Sequence, residues 1–240
     1  MGVLDETIEV PRKTMCLFFL VDGSGSMSGD KIGSLNQGIR EVLPDLRDIS
    51  DSNADALIKV AVLQFSSGTQ WITPTPQELD NIMWTDIEAG GVTDMGEAFT
   101  ELDSKLNRNA FLADAVGNYA PVIILMSDGE PTDDWDSGLK KLKANKWFNA
   151  AIKIAFSIGS DANDDILTAF TGNKETVIPI NNKDIMKKMI RFVSVTSSRI
   201  GSKKAGSSED DAAAKQAEVA EAIQSEMEEL DPEENYNEGW

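Results

Sequence analysis

Two stretches of the chain show no polar alternation at all. Met15-Cys16-Leu17-Phe18-Phe19-Leu20 and Pro121-Val122-Ile123-Ile124-Leu125-Met126 are continuously apolar and run into glycine-bearing turns. That is the pattern of strands buried on both faces of a parallel sheet. Ile58 to Phe65 and Ala151 to Ile158 read as two further strands, and Thr176 to Ile180 as a short last one. Gln70-Trp71-Ile72-Thr73 follows the turn Ser66-Ser67-Gly68-Thr69 and precedes Pro74 and Pro76. It is expected to return as a hairpin strand on an antiparallel edge.

Between these strands the apolar residues recur at helical spacing. Ile32, Leu35, Ile39, Val42, Leu43, Leu46 and Ile49 predict a long helix with Asp30 as its N-cap, and Pro44 inside the pattern predicts a kink. Met95, Ala98, Phe99, Leu102 and Leu106 form a second helical face. A third helix is expected from Trp135 to Lys146, with acids at its start and lysines towards its end, as the helix dipole favours. Asp164 to Thr171, stopped by Gly172, and Asp184 to about Ser197 complete the series.

Strands alternating with helices specify an α/β fold: a doubly wound, mostly parallel central sheet with one antiparallel edge strand and helices on both faces. The expected organisation is an N-terminal extension over 1–13, the α/β domain over 14–198, a linker over 199–208, and an acidic tail over 209–240, partly helical or disordered. Within the tail, Val219, Ile223, Met227 and Leu230 make a thin apolar stripe. It leaves two readings open, a solvated acidic helix and a helix that docks on a partner or on the domain itself.

Charge narrows the range of partners. The 240 residues carry a formal net charge of -19, which repels phosphate backbones and anionic membranes, so neither nucleic acid nor a membrane surface is expected as a partner. No histidine is present, which removes Ser-His-Asp and Cys-His catalysis and His-ligated zinc. The single cysteine, Cys16, lies in an apolar run, reads as a small core residue and excludes an internal disulfide. The first apolar run is too short to span a bilayer, and a cytoplasmic location is expected.

The candidate chemistry begins where that run ends. Asp22-Gly23-Ser24-Gly25-Ser26 leaves the strand with three oxygen side chains at alternate positions. Thr93 follows the glycine pair Gly90-Gly91, and Asp128-Gly129 leaves the second apolar strand. Singly these are ordinary turn and cap residues. Together, three separate segments deliver hard oxygen ligands at one sheet edge, a set suited to Mg²⁺ or Mn²⁺. An EF-hand loop from Asp22 fails, because its sixth position is Met27 and its twelfth Gly33. Gly29-Asp30-Lys31-Ile32 is not a P-loop, and Gly23-x-Gly25-x-x-Ser28 lacks the third glycine of a dinucleotide site.

Asp22-x-Ser24-x-Ser26, Thr93 after a glycine-rich loop, and Asp128-Gly129 after an apolar strand together resemble the metal-ion-dependent adhesion site of von Willebrand factor A domains, over about residues 14 to 198. The run from Ser127 to Trp135 is similar, more narrowly, to bacterial TerY-like proteins of tellurium-resistance and stress operons. The resemblance implies that Ser24, Ser26 and, in one conformation, Thr93 bind the metal directly. Asp22 and Asp128 would bind directly or through water. It further implies an adaptor that is not an enzyme, with a partner's Asp or Glu completing the coordination, and a protein kinase or a PP2C-type phosphatase as that partner.

Two other classes stay open. In a metal-dependent phosphohydrolase, Asp22, Asp128, Glu130 and Asp133 would crowd one metal, although no basic residue stands next to these motifs to hold a phosphate. In a structural domain with a vestigial metal site, the acidic tail would bind partners. The tail could also present an acid to another copy's metal, giving homo-oligomers.

Overall fold

A computed structural model of the protein describes residues 11–128, 130–160, 162–203 and 209–230. Among these, one sheet contains β1 (Lys13–Asp22), β2 (Ala56–Ser66), β3 (Gly68–Trp71), β4 (Gln77–Glu78), β5 (Val122–Ser127), β6 (Ile152–Ile158) and β7 (Val177–Ile180). The helices are α1 (Asp30–Ser52), α2 (Met95–Lys105), α3 (Trp135–Lys143), α4 (Lys146–Ala150), α5 (Asp164–Thr171), α6 (Lys183–Gly201) and α7 (Glu209–Glu229).

The strand order is β3-β2-β1-β5-β6-β7, with β4 also paired to β2. β1, β2, β5, β6 and β7 are parallel, while β3 and the two-residue β4 pair antiparallel along the outer side of β2. The mostly parallel sheet with an antiparallel edge is thus present. Residues 77–78 are too short a run to have been read as a strand. From β1 the chain builds outward through β2, then crosses to the other side of β1 for β5, so the strand order reverses between β1 and β5.

The absence of polar alternation in β1 now has its cause. Met15, Leu17, Phe19 and Val21 face α1 and α6, joining Leu35, Ile39, Val42, Met186, Met189 and Ile190 in one core. Cys16, Phe18 and Leu20 face the other way, joining Phe99, Leu102, Leu139, Leu142, Phe148 and Phe170. Cys16 is fully buried, and desolvation pushes its thiol up to about 12, so it behaves as a core side chain.

Several boundaries differ from expectation. Gly29, at φ 85°, is the N-cap of α1 and Asp30 its first residue; only a residue tolerant of positive φ fits the turn before it. α1 then runs unbroken through Pro44 to Ser52. The helix expected from Trp135 to Lys146 stops at Lys143, and the Asn145 side chain accepts the Trp147 N–H to start α4. Leucine spacing masked that cap. α6 continues to Gly201, beyond the expected end near Ser197, because Ile200 is buried and Gly201 packs against Val122.

The tail helix α7 docks on its own domain. Val219, Ala220, Ile223 and Leu230 are buried, with Met227 packed beside them. The Gln216 amide works as a strand edge in miniature: its Oε1 accepts the Lys153 N–H at 2.9 Å and its Nε2 donates to the Lys153 carbonyl at 2.8 Å. Lys153 sits at the N-terminal end of β6, before the pairing with β7 begins at Ala155. Lys188 pairs with Glu226 at 3.0 Å, and Lys215 Nζ donates to the Gly201 carbonyl at 2.8 Å. Residues 231–240 of the tail, and 204–208 of the expected linker, lie outside the described residues.

Truncating Gln216 to Ala leaves two backbone groups of Lys153 without these partners. Urea denaturation of Gln216→Ala is expected to show a loss of about 1–3 kcal/mol, with the α/β fold retained by circular dichroism.

Candidate metal centre

The point of strand reversal positions the site. Val21 pairs with Met126, so Asp22 and Ser127 leave β1 and β5 side by side, at the crevice where open α/β sheets take ligands. Asp22 is fully buried. Its Oδ1 accepts the Ser24 N–H at 2.8 Å and its Oδ2 accepts the Ser127 hydroxyl at 2.6 Å. Desolvation raises its carboxyl above the ordinary value, against the lowering effect of those hydrogen bonds.

From there a chain of oxygens crosses the edge. Ser24 Oγ and Ser26 Oγ lie 3.0 Å apart, and Ser26 donates to Asp128 Oδ1 at 2.7 Å. Lys31 Nζ, one residue into α1, donates to Asp128 Oδ2 at 2.6 Å. The Asp128 carboxylate has no exposed surface, and the Lys31 side chain keeps only 20%. Lys31 overturns the expectation that no basic group stands beside the acidic motifs: helix α1 carries it back over the end of β5, which linear spacing does not show.

Thr93 reaches the same edge through its backbone. The Gly90 N–H donates to the Gly23 carbonyl at 2.8 Å, and the Gly25 N–H to the Gly91 carbonyl at 3.1 Å. Gly91 has φ 82°, and a Cβ there would lie 2.4 Å from Ser67 Oγ, so a side chain is excluded. Thr93 itself exchanges bonds with Thr132: its N–H donates to Thr132 Oγ1 at 3.1 Å, and its carbonyl accepts the Thr132 N–H at 2.9 Å. The buried Asn36 of α1 holds the loop from behind, donating to the Ile87 carbonyl and accepting its N–H, both at 2.9 Å.

Asp22, Ser24, Ser26 and Asp128 are therefore brought into one hydrogen-bonded chain, and the loop that leads to Thr93 is bonded to the backbone of Gly23 and Gly25. Sequence reading missed Lys31 and Asn36 as parts of the site, and no local motif marks either. It also did not foresee that Asp133 serves another element: its carboxylate accepts the N–H groups of Gly96 and Glu97, capping α2 rather than its own neighbour α3. Asp134 caps α3 through the Ser137 N–H, and Glu130 accepts from Asn163.

The donor set fits a small hard cation. Mg²⁺ holds oxygens at about 2.0–2.1 Å, which places adjacent ligands of an octahedron about 3 Å apart, close to the Ser24–Ser26 and Ser26–Asp128 spacings. Among the described residues no group of three or more His, Cys, Asp or Glu side chains could hold a metal; this set relies on hydroxyls and two acids instead. A cavity of about 860 Å³ opens between α1 and α6, lined by Asp45, Asp48, Arg191 and Arg199 among others, and none of the five candidate residues lines it.

A profile of the von Willebrand factor type A domain matches residues 17–193, from within β1 to within α6. The chain belongs to the von Willebrand factor type A domain family. Solved structures share its fold at low identity. Proximal thread matrix protein 1 of the mussel byssus, with a zinc-occupied MIDAS motif, is 18% identical over 77% of this chain and 48% of that one, with a TM-score of 0.58. The ArnB paralog VWA2 of Sulfolobus acidocaldarius is 19% identical over 75% and 44%, with a TM-score of 0.57. The pilus adhesin SpaC of Lactobacillus rhamnosus GG, in its open conformation, is 15% identical over 74% and 29%, with a TM-score of 0.57. The chain spans less than half the length of each of these structures. A comparison with curated proteins finds no match.

The raised carboxyl of Asp22 gives this von Willebrand A domain a definite pH response. A buried acid whose folded pKa is raised favours folding below its unfolded pKa, and that contribution is lost as pH rises through the folded value. Removing the Ser127 donor penalises the charged carboxylate more than the neutral acid. In urea titrations, Ser127→Ala is expected to lose about 1–3 kcal/mol at pH 7 and clearly less near pH 4.

Proposed function

We propose that this von Willebrand A domain is a divalent-cation-dependent protein interaction module, in which an Asp or Glu of a partner protein completes the coordination of Mg²⁺ or Mn²⁺. The observation that carries the reading is the continuous chain from Asp22 through Ser24 and Ser26 to Asp128 at the point of strand reversal. In this reading Ser24, Ser26 and Thr93 offer hydroxyl oxygens to the ion. Both oxygens of Asp22 already accept protein donors, which fits a role as buried counter-charge acting through water. Asp128 shares its oxygens with Ser26 and Lys31 and contributes the second negative charge. The ion supplies an electrophilic centre with positions left for an outside oxygen ligand.

Von Willebrand A domains with such sites typically act as metal-dependent interaction modules rather than enzymes, which supports the adaptor role. The likeness of the Ser127 to Trp135 run to TerY-like proteins extends the reading to a cytoplasmic stress or signalling system, with a protein kinase or a PP2C-type phosphatase as partner. The hydrolase alternative loses support because Glu130, Asp133 and Asp134 are engaged in structural hydrogen bonds. The alternative of a binding tail loses its apolar stripe, since Val219, Ile223 and Leu230 pack into the domain.

Saturating Mg²⁺, near 100 times its Kd, is expected to stabilise the wild type by about 2.7 kcal/mol, or on the order of 5–10 °C in melting temperature for a chain this size. Asp22→Ala should show no such gain. The same protein immobilised on resin should capture its partner from native lysate with Mg²⁺ and release it with EDTA. A partner retained both in EDTA and on Asp22→Ala would refute the mechanism.

A further inference from the structure

Lys31 is the one element of this edge that a simple cation site has no use for. Its ammonium lies 2.6 Å from Asp128 Oδ2, while the opposite oxygen accepts from Ser26. The contact has space because a glycine follows β6: a Cβ on Gly159 would stand 3.1 Å from Lys31 Nζ. Three segments, the start of α1 and the ends of β5 and β6, therefore converge to hold a positive charge on a buried carboxylate.

The charge balance gives that contact a consequence. Asp22 and Asp128 alone would neutralise a divalent ion, and a neutral centre attracts a further carboxylate only weakly. With Lys31 included, these three side chains carry a net charge of -1, so the centre they form with the ion keeps one positive charge for an anionic ligand to meet. Asp22 and Asp128 are buried, and around buried charges such differences are felt strongly. We infer that Lys31 sets the charge of the centre: it weakens binding of the cation itself and strengthens capture of an outside carboxylate by the loaded domain. A lysine that merely anchored α1 would move neither quantity in this opposed way. The inference rests on the metal-dependent reading above and names what selects the partner's acid.

Opposite signs make it testable with the full chain and two simple probes. Mn²⁺ binding is read from the electron paramagnetic resonance of the free ion. Acetate is then titrated into the Mn²⁺-saturated protein, and loss of Mn²⁺-bound water is followed by water-proton relaxation. Lys31→Met is expected to bind Mn²⁺ about tenfold or more tightly than the wild type, and to need several-fold more acetate for half-displacement of the bound water. Lys31→Gln, a second neutral side chain, should behave alike, and Lys31→Arg should follow the wild type on both counts. Circular dichroism melts confirm that each variant is folded. Equal or weaker Mn²⁺ binding by both neutral variants, or an unchanged acetate demand, overturns the inference while leaving the metal site standing, provided that Asp22→Ala has lost Mn²⁺. Wild type binding no better than Asp22→Ala overturns the metal reading and this inference with it.

Discussion

A carboxylate buried at the end of a central strand is the constraint on which the rest of this structure depends. Asp22 has no exposed surface, and a charge in that position persists only if donors converge on it. One comes from the turn that follows, through the Ser24 N–H, and one from the neighbouring strand, through Ser127. Meeting that demand fixes the path of the β1–α1 turn, and with it the placement of the Ser24 and Ser26 hydroxyls.

Close backbone approach then brings in the remaining parts. The Gly90-Gly91 loop bonds to Gly23 and Gly25. On the far side, α2 and α3 touch at Gly96 and Gly138, where a Cβ on Gly138 would sit 2.4 Å from the Gly96 carbonyl oxygen. That contact is why Asp133, preceding α3, can cap α2. Thr93, next to the start of α2, is thereby held through its backbone N–H and carbonyl, and its side chain makes no hydrogen bond among the described residues. The candidate centre is thus built from regular elements at a strand reversal, with its candidate ligands on short turns braced by hydrogen bonds.

The opposite end of the molecule shows how the acidic tail is accommodated. Its helix carries much of the negative charge, yet docks through apolar side chains, one glutamine, ion pairs of its Glu226 and Glu218 with Lys188 and Lys203, and a hydrogen bond from its Lys215 to the Gly201 carbonyl. Gln216 bonds at the N-terminal end of β6, whereas the candidate centre lies at the C-terminal ends of β1 and β5. The Gln216 contact and the candidate centre therefore lie at opposite ends of the strands.

The order of strands and helices, the two-faced burial of β1 and β5, and the identity of Asp22, Ser24, Ser26, Thr93 and Asp128 as candidates were legible in the chain itself. Periodicity and turn chemistry are local properties, and a motif of alternate oxygens on a strand end is written in consecutive residues. What only the tertiary structure decided lies between residues far apart in sequence. Lys31 meets Asp128 across 97 positions, Asn36 meets Ile87, Asp133 caps a helix that is not its own, and Gln216 completes the edge of β6. Each depends on how helices cross the sheet, and a helix's crossing is set by packing against partners that local sequence does not name. The tail stripe of Val219, Ile223 and Leu230 stayed ambiguous for the same reason: an apolar face states that something must cover it, and only the folded domain supplies what does.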